Sequence, residues 1–200
     1  GDLQPPAGDA ALHRLGLERE RYLLYVSRLE PENNPDRVIA AYAGVPGELP
    51  LVLVGGAPYA DALQRRVAAL AGADRRVVLA GPVYGEGYRE LLFNAAAYIH
   101  ATEVGGTHPA LVEAMGAGRV VLYLDTIENR EVAGGAGVAF RFAAPYTLAD
   151  ALRDLVAEPS RFTRFASAAR ARVAERYRWD AVTDAYEALL EELCCASRRG

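Results

Sequence analysis

The sequence predicts an α/β fold: a doubly wound parallel sheet of six strands followed by a helical C-terminal extension. Three observations carry that expectation. Short apolar runs rich in β-branched and aromatic residues alternate with stretches of helical spacing between Tyr22 and Phe142. The ends of these runs hold Ser27, Arg28, Gly55, Gly56, Gly81, Val83, His100, Thr102 and Asp125, and in such a sheet ligands bind beyond the carboxyl ends of the strands. The last third changes to consecutive helical patterns. One domain accommodates this, with 1–21 as a lead-in, 22–142 as the core and 147–196 as C-terminal helices. No internal repeat, low-complexity tract or linker divides it.

After the Pro/Gly-rich lead-in, YLLYVSRL (22–29) and LPLVLVGG (49–56) read as central strands covered on both faces. DRVIAAYAGV (36–45) and YADALQRRVAALAG (59–72) have helical spacing. RVVLAGPV (76–83), AAAYIHAT (95–102), RVVLYLDT (119–126) and GVAFRF (137–142) supply four more strands, and helices are expected at 87–94, 109–117 and 128–133. Right-handed crossovers then make the sheet parallel. TLADALRDLVAE, PSRFTRFASAARARVAERY and WDAVTDAYEALLEELCCA read as three helices, with Pro159 or Ser160 opening the second and Asp180 near the start of the third. The apolar spacing of EALLEEL suits a face docked on the body.

Composition removes several function classes. The 52% apolar content and mean hydropathy of +0.01 fit a folded chain, and no apolar run reaches the length of a membrane span. A net charge of −4 gives no nucleic-acid footprint. All 22 basic residues are Arg, so a P-loop, a Schiff base and a kinase-type site are excluded for want of lysine. Cys194 and Cys195 are the only cysteines, which argues against a disulfide framework and for a reducing, cytoplasmic location. The first residues lack the order of a secretory signal, and the absence of a starting Met is compatible with a start inside a longer protein. No His, Cys or Asp spacing calls for a metal, no G-x-S-x-G is present, and the first strand leads into SRLEPENN rather than a dinucleotide fingerprint.

The most informative stretch is 96–118, AAYIHATEVGGTHPALVEAMGAG: a strand, a Gly-rich loop and a helix start carrying one carboxylate. Gly105 and Gly106 free the backbone, and Pro109 suits the first helical position, where its missing N–H costs nothing. The unpaired amides there favour a phosphate or a sugar hydroxyl. Glu113 lies one turn further on the same face. It is either a ligand contact or a solvated Glu in an ordinary strand-to-helix connection. Arg28, ending the first strand, offers a fork of donors suited to a diphosphate, or it pairs with Glu30 or Glu32.

These residues together make the chain resemble the nucleotide-sugar-binding C-terminal half of the family 4 (group 1) glycosyltransferases of GT-B fold. Within them it is similar to a subset sharing RLEPENN and VGGT-x-P-x-L-x-EAM, from about Tyr22 to Tyr186. The resemblance implies a Rossmann-like sheet and a retaining, metal-independent transfer of sugar from a nucleoside-diphosphate sugar, a substrate rather than a cofactor. Arg28 then contacts the diphosphate and steadies the leaving nucleotide. Glu113, the second Glu of an E-x7-E motif, accepts from ribose hydroxyls. Gly105, Gly106, Thr107 and His108 meet sugar and phosphates, and the backbone at Gly81 and Val83 reads the base. Gly105 stands where the family has its first Glu, and Asn33 where it has a lysine. The acceptor contacts belong to an N-terminal domain absent from this chain, so the isolated chain binds nucleotide with little or no turnover. The full-length protein would be cytoplasmic, with membrane-peripheral attachment as a variant.

Softer candidates complete the reading. His100 meets the sugar or is a satisfied structural histidine, and His108 hydrogen-bonds a phosphate. Asn129, Arg130 and Glu131 line the pocket, or Asn129 and Glu131 cap a helix start, and Tyr84 stacks on a base or faces solvent. Leu111 and Val112 belong to the core. Two other function classes stay open: a non-hydrolysing sugar-nucleotide epimerase domain, and a non-catalytic nucleotide-sugar or partner-binding module.

Overall fold

The computed structural model describes residues 4–56 and 61–197. Six strands form one parallel sheet: β1 (Leu23–Val26), β2 (Leu51–Val54), β3 (Val77–Gly81), β4 (Ala97–His100), β5 (Val120–Leu124) and β6 (Val138–Phe140). Their order across the sheet is β3-β2-β1-β4-β5-β6. Register pairs Leu23 with Leu51 on one side and with Ala97 on the other. The chain therefore winds outward from β1 to β3, then crosses back to start its second half at β4. The β1/β4 junction is the point where strand order reverses, the place in such sheets where a crevice opens.

Strand alternation divides the core into two faces. Leu23, Tyr25, Leu51 and Leu53 pack with α2 (Pro35–Tyr42), α3 (Asp61–Gly72) and α7 (Leu148–Ala157). Leu24, Val52, Val54 and Tyr98 pack with α1 (Ala10–Leu15), α4 (Gly85–Asn94), α5 (Pro109–Gly116), α6 (Ile127–Ala133) and α8 (Thr163–Arg176). Pro109 opens α5 as expected, and the structure adds Pro35 at the start of α2 and a capping box of Thr147 with Asp150 at α7. Pro159 opens a short 3-10 turn over Pro159–Phe162 ahead of α8. Tyr59 and Ala60 of the expected second helix lie outside the described residues.

One element goes beyond the sequence reading and one expectation needs correction. The lead-in carries a helix, α1, over Ala10–Leu15. Buried Glu90 of α4 accepts from the Ala11 N–H, and Glu86 accepts from the Ala7 N–H, each at 2.5 Å. A carboxylate at a helix N-terminus satisfies a donor that the helix cannot. The EALLEEL face is not docked. In α9 (Trp179–Ser197), Tyr186, Leu189, Leu190 and Leu193 are exposed, Leu193 at 57%. Apolar spacing shows that a helix has a face to bury, while the described residues supply no surface to cover it. Among the described residues, no helix is long and apolar enough to cross a membrane. Cys194 is free and exposed, and the Cys195 side chain lies outside the described ones.

Candidate functional site

A cavity of about 620 Å³ opens at the β1/β4 junction. Its lining includes Arg28, Asn33, His100, Thr102, His108 and Pro109. One wall is the segment after β1. Arg28 is 75% exposed there, and its guanidinium sits 3.0 Å from Glu30 Oε1. An exposed pair of this kind is worth only about 0–1 kcal/mol, so Arg28 can exchange it for a diphosphate. Asn33 is buried with its amide engaged at both ends: Nδ2 donates to the Arg28 carbonyl at 2.8 Å, and Oδ1 accepts from the Thr102 hydroxyl at 2.8 Å. Its own carbonyl accepts from the Tyr25 hydroxyl at 2.7 Å. Asn33 therefore seats the backbone under Arg28 and joins this wall to the other.

The second wall runs from β4 into α5. Its first residues are tied down: Asn34 donates to the Ala101 carbonyl at 2.9 Å, Asn129 to the Thr102 carbonyl at 3.1 Å, and the Glu103 N–H to the Glu32 carbonyl at 2.9 Å. Beyond them the chain is exposed through Gly105, Gly106 and Thr107. Gly105 has a φ of 141°, open to glycine alone without strain. At the start of α5 the Leu111 and Val112 amides turn back to the His108 carbonyl, which leaves the Ala110 N–H without a partner among the described residues. That amide, on the cavity wall at a helix N-terminus, is positioned for an anion.

The His100 and His108 rings meet at a tilt of 52°, with centroids 4.7 Å apart. His100 is buried, and its Nε2 has no hydrogen-bond partner among the described residues. Burial, reinforced by His108, pushes its pKa down to about 3, with Asn129 pulling weakly the other way. Burial also lowers His108, against the attraction of Glu128. Both rings are thus neutral at physiological pH, able to accept as well as donate to hydroxyls.

Glu113 lies one turn beyond Pro109 on α5 and is partly buried. Its Oε2 accepts from the Tyr88 hydroxyl at 2.6 Å. Tyr88 carried no sequence signal, since 25 residues separate it from Glu113. Gly81 and Val83 lie at the end of β3, two strands from the junction and outside the cavity lining. Asn129 does not cap α6: Thr126 does, while Asn129 is buried against the Thr102 and Leu124 carbonyls. Arg130 pairs with Asp125, as does Arg141 at 2.9 Å. With burial opposing, these contacts, Arg130 first, hold the Asp125 carboxyl down to about 2. The Glu131 carbonyl accepts from Arg172, and Tyr84 is exposed. Among the described residues no group of three or more His, Cys, Asp or Glu is arranged to hold a metal ion.

The doubly wound parallel sheet of six strands with flanking helices has the fold of the C-terminal domains of GT-B glycosyltransferases. The chain belongs to the family described as Glycosyl transferases group 1, whose pattern matches residues 13–172. Among solved structures it is similar to sucrose-phosphate synthase from Thermosynechococcus elongatus, with 22% identity and a TM-score of 0.79, covering 96% of this chain and 50% of that one. It is also similar to Anabaena HepE in complex with UDP, with 21% identity and a TM-score of 0.79, covering 90% of this chain and 51% of that one. A C-terminal domain of a group 1 glycosyl transferase, LpcC from Francisella tularensis, aligns at 16% identity and a TM-score of 0.68, over 88% of this chain and 95% of that one. No curated protein matches. The chain spans about half the length of the first two structures.

Proposed function

We propose that this chain is the donor-binding half of a retaining glycosyltransferase that moves a sugar from a nucleoside-diphosphate sugar to an acceptor hydroxyl. The observation that carries the reading is the convergence of Arg28, the Ala110 amide and the neutral His100–His108 pair on one cavity at the switch point. Arg28 supplies charge for a diphosphate and for the further negative charge that develops as the nucleotide departs. The α5 N-terminus adds a fixed dipole of the same sign, so the site stabilises a leaving anion without a metal. Gly105, Gly106 and Thr107 bring exposed backbone to the sugar, and Glu113 accepts from the ribose. Gly81 and Val83 meet the base from the end of β3. That Anabaena HepE, similar in fold over 90% of this chain, is in complex with UDP supports a nucleotide as the ligand.

Acceptor contacts come from an N-terminal domain outside this chain, and the chain alone binds nucleotide with little turnover. The two-cysteine composition supports a reducing, cytoplasmic location. Calorimetry with UDP, GDP and TDP tests the reading. One of them binds in the micromolar to millimolar range, and Arg28→Ala weakens it at least tenfold. No binding by any of the three at millimolar concentration would instead mark a non-catalytic interaction module.

A further inference from the structure

We propose that Tyr88 is a positioning residue for Glu113, fixing the carboxylate so that one oxygen faces the nucleotide ribose. The inference rests on the reading of Glu113 as the ribose acceptor and adds the group that makes it competent. Tyr88 sits on α4, and its hydroxyl lies 2.6 Å from Glu113 Oε2 on α5, so two helices that flank the same sheet face meet at this contact. Among the described residues Oε1 has no protein partner. An ionised carboxylate only accepts, and two oxygens provide about four acceptor sites. The phenol occupies one of them, and the rest stay open to hydroxyl donors.

Tyr88 suits this task for two reasons. Its ring packs against the buried cluster on that face, so the hydroxyl is held by a rigid body rather than a flexible stem. Burial, with Tyr98 and Glu113 beside it, keeps the phenol protonated far above neutral pH, so it donates at every pH the protein meets. A Glu without this anchor has its last torsions free and must be ordered at the moment of binding.

A tether between helices would show the same hydrogen bond, so the test must read the ribose hydroxyls alone. Calorimetry on the 200-residue chain compares whichever of UDP and GDP binds more tightly with its 2′,3′-dideoxy counterpart. In the native protein the dideoxy nucleotide binds more weakly. Tyr88→Phe, which keeps the ring and its packing, lowers the affinity for the ribonucleotide about tenfold and leaves the dideoxy affinity unchanged. Glu113→Ala brings the two nucleotides to equal affinity. If Tyr88→Phe weakens both nucleotides equally, or neither, the contact is a tether and the proposal falls while the reading of Glu113 stands. If Glu113→Ala retains the preference for the ribonucleotide, or the native chain binds no nucleotide, the reading of Glu113 falls first and takes the proposal with it.

Discussion

The two walls of the cavity are built on opposite plans. The segment after β1 is stitched by side chains: Tyr25, Ser27 and Asn33 hydrogen-bond to one another or to its carbonyls, and Asn33 reaches across to Thr102. The loop before α5 is held only as far as Glu103, and among the described residues no hydrogen bond fixes Val104, Gly105, Gly106 or Thr107. The wall that carries the charge is fixed before any ligand arrives, so its arginine starts near its working place. The wall that offers bare backbone is left free to fit. Substitutions in the first should therefore cost stability, and those in the loop from Val104 to Thr107 should cost binding more than stability.

The most severe break of that contrast is at the buttress of the stiff wall. Gly55 has a φ of 143°, and a Cβ there would stand 1.8 Å from the Ser27 carbonyl oxygen. Backbone cannot swing aside as a side chain can, so Gly55→Ala is expected to destabilise the fold by more than about 3 kcal/mol. Urea denaturation measures it. Next comes Asn33→Ala, which removes two partly buried hydrogen bonds, one to the Arg28 carbonyl and one from the Thr102 hydroxyl, and leaves a gap at a buried position. The expected loss is about 2–3 kcal/mol, together with weaker nucleotide binding as Arg28 loses its seat. A loss below about 0.5 kcal/mol would show that the stiffness lies elsewhere.

His100, at the base of the free wall, makes a pH-dependent contribution of similar size. Its folded pKa of about 3 lies below the ordinary 6.5, so between those values the unfolded chain takes up a proton that the folded chain refuses. Stability is complete above about pH 6.5 and falls as pH drops toward 3, by as much as about 1.4 kcal/mol per pH unit. Thermal and urea unfolding at pH 7 and pH 5 should show the native protein losing about 2 kcal/mol more than His100→Leu over that interval. His108 is present in both proteins and largely cancels. Equal losses would mean that the ring is not sealed from water.

What the sequence made legible follows the same division. All six strands could be read, because each is a short apolar run whose end is marked by a glycine, a charge or a turn. Pro109 and its helix were legible from the fixed φ of proline. The part played by Asn33 was not: its polarity showed a departure from a family lysine, while its hydrogen bonds to positions 28 and 102 depend on tertiary placement. Tyr88 and Glu113 stayed invisible as a pair for the same reason. Helix α1 was hidden because its first-turn donors are satisfied by Glu90, a residue 79 positions away from Ala11. The α9 face misled in the other direction, since spacing reports an appetite for burial and not a surface that meets it.

Gly105→Ala should have the smallest effect on the fold, and it sharpens the contrast most. The position resembles Gly55 in backbone, with a φ of 141° against 143°, so conformational strain alone would make the two substitutions alike. They differ in what a Cβ would meet. At Gly105 the nearest atom is His108 Cε1, at 2.6 Å, in a side chain that can turn, and the loop around it is exposed and unbonded. The strain can therefore relax through the loop, and the expected stability loss is below about 1 kcal/mol. The relaxed loop no longer presents its amides as before, and a displaced His108 leaves its contact with His100, so nucleotide-sugar affinity falls about tenfold, ~1.4 kcal/mol. Urea unfolding and calorimetry on the same preparation separate the two quantities. If Gly105→Ala costs as much stability as Asn33→Ala, the loop is as rigid as the wall opposite, and the division of labour between them is wrong.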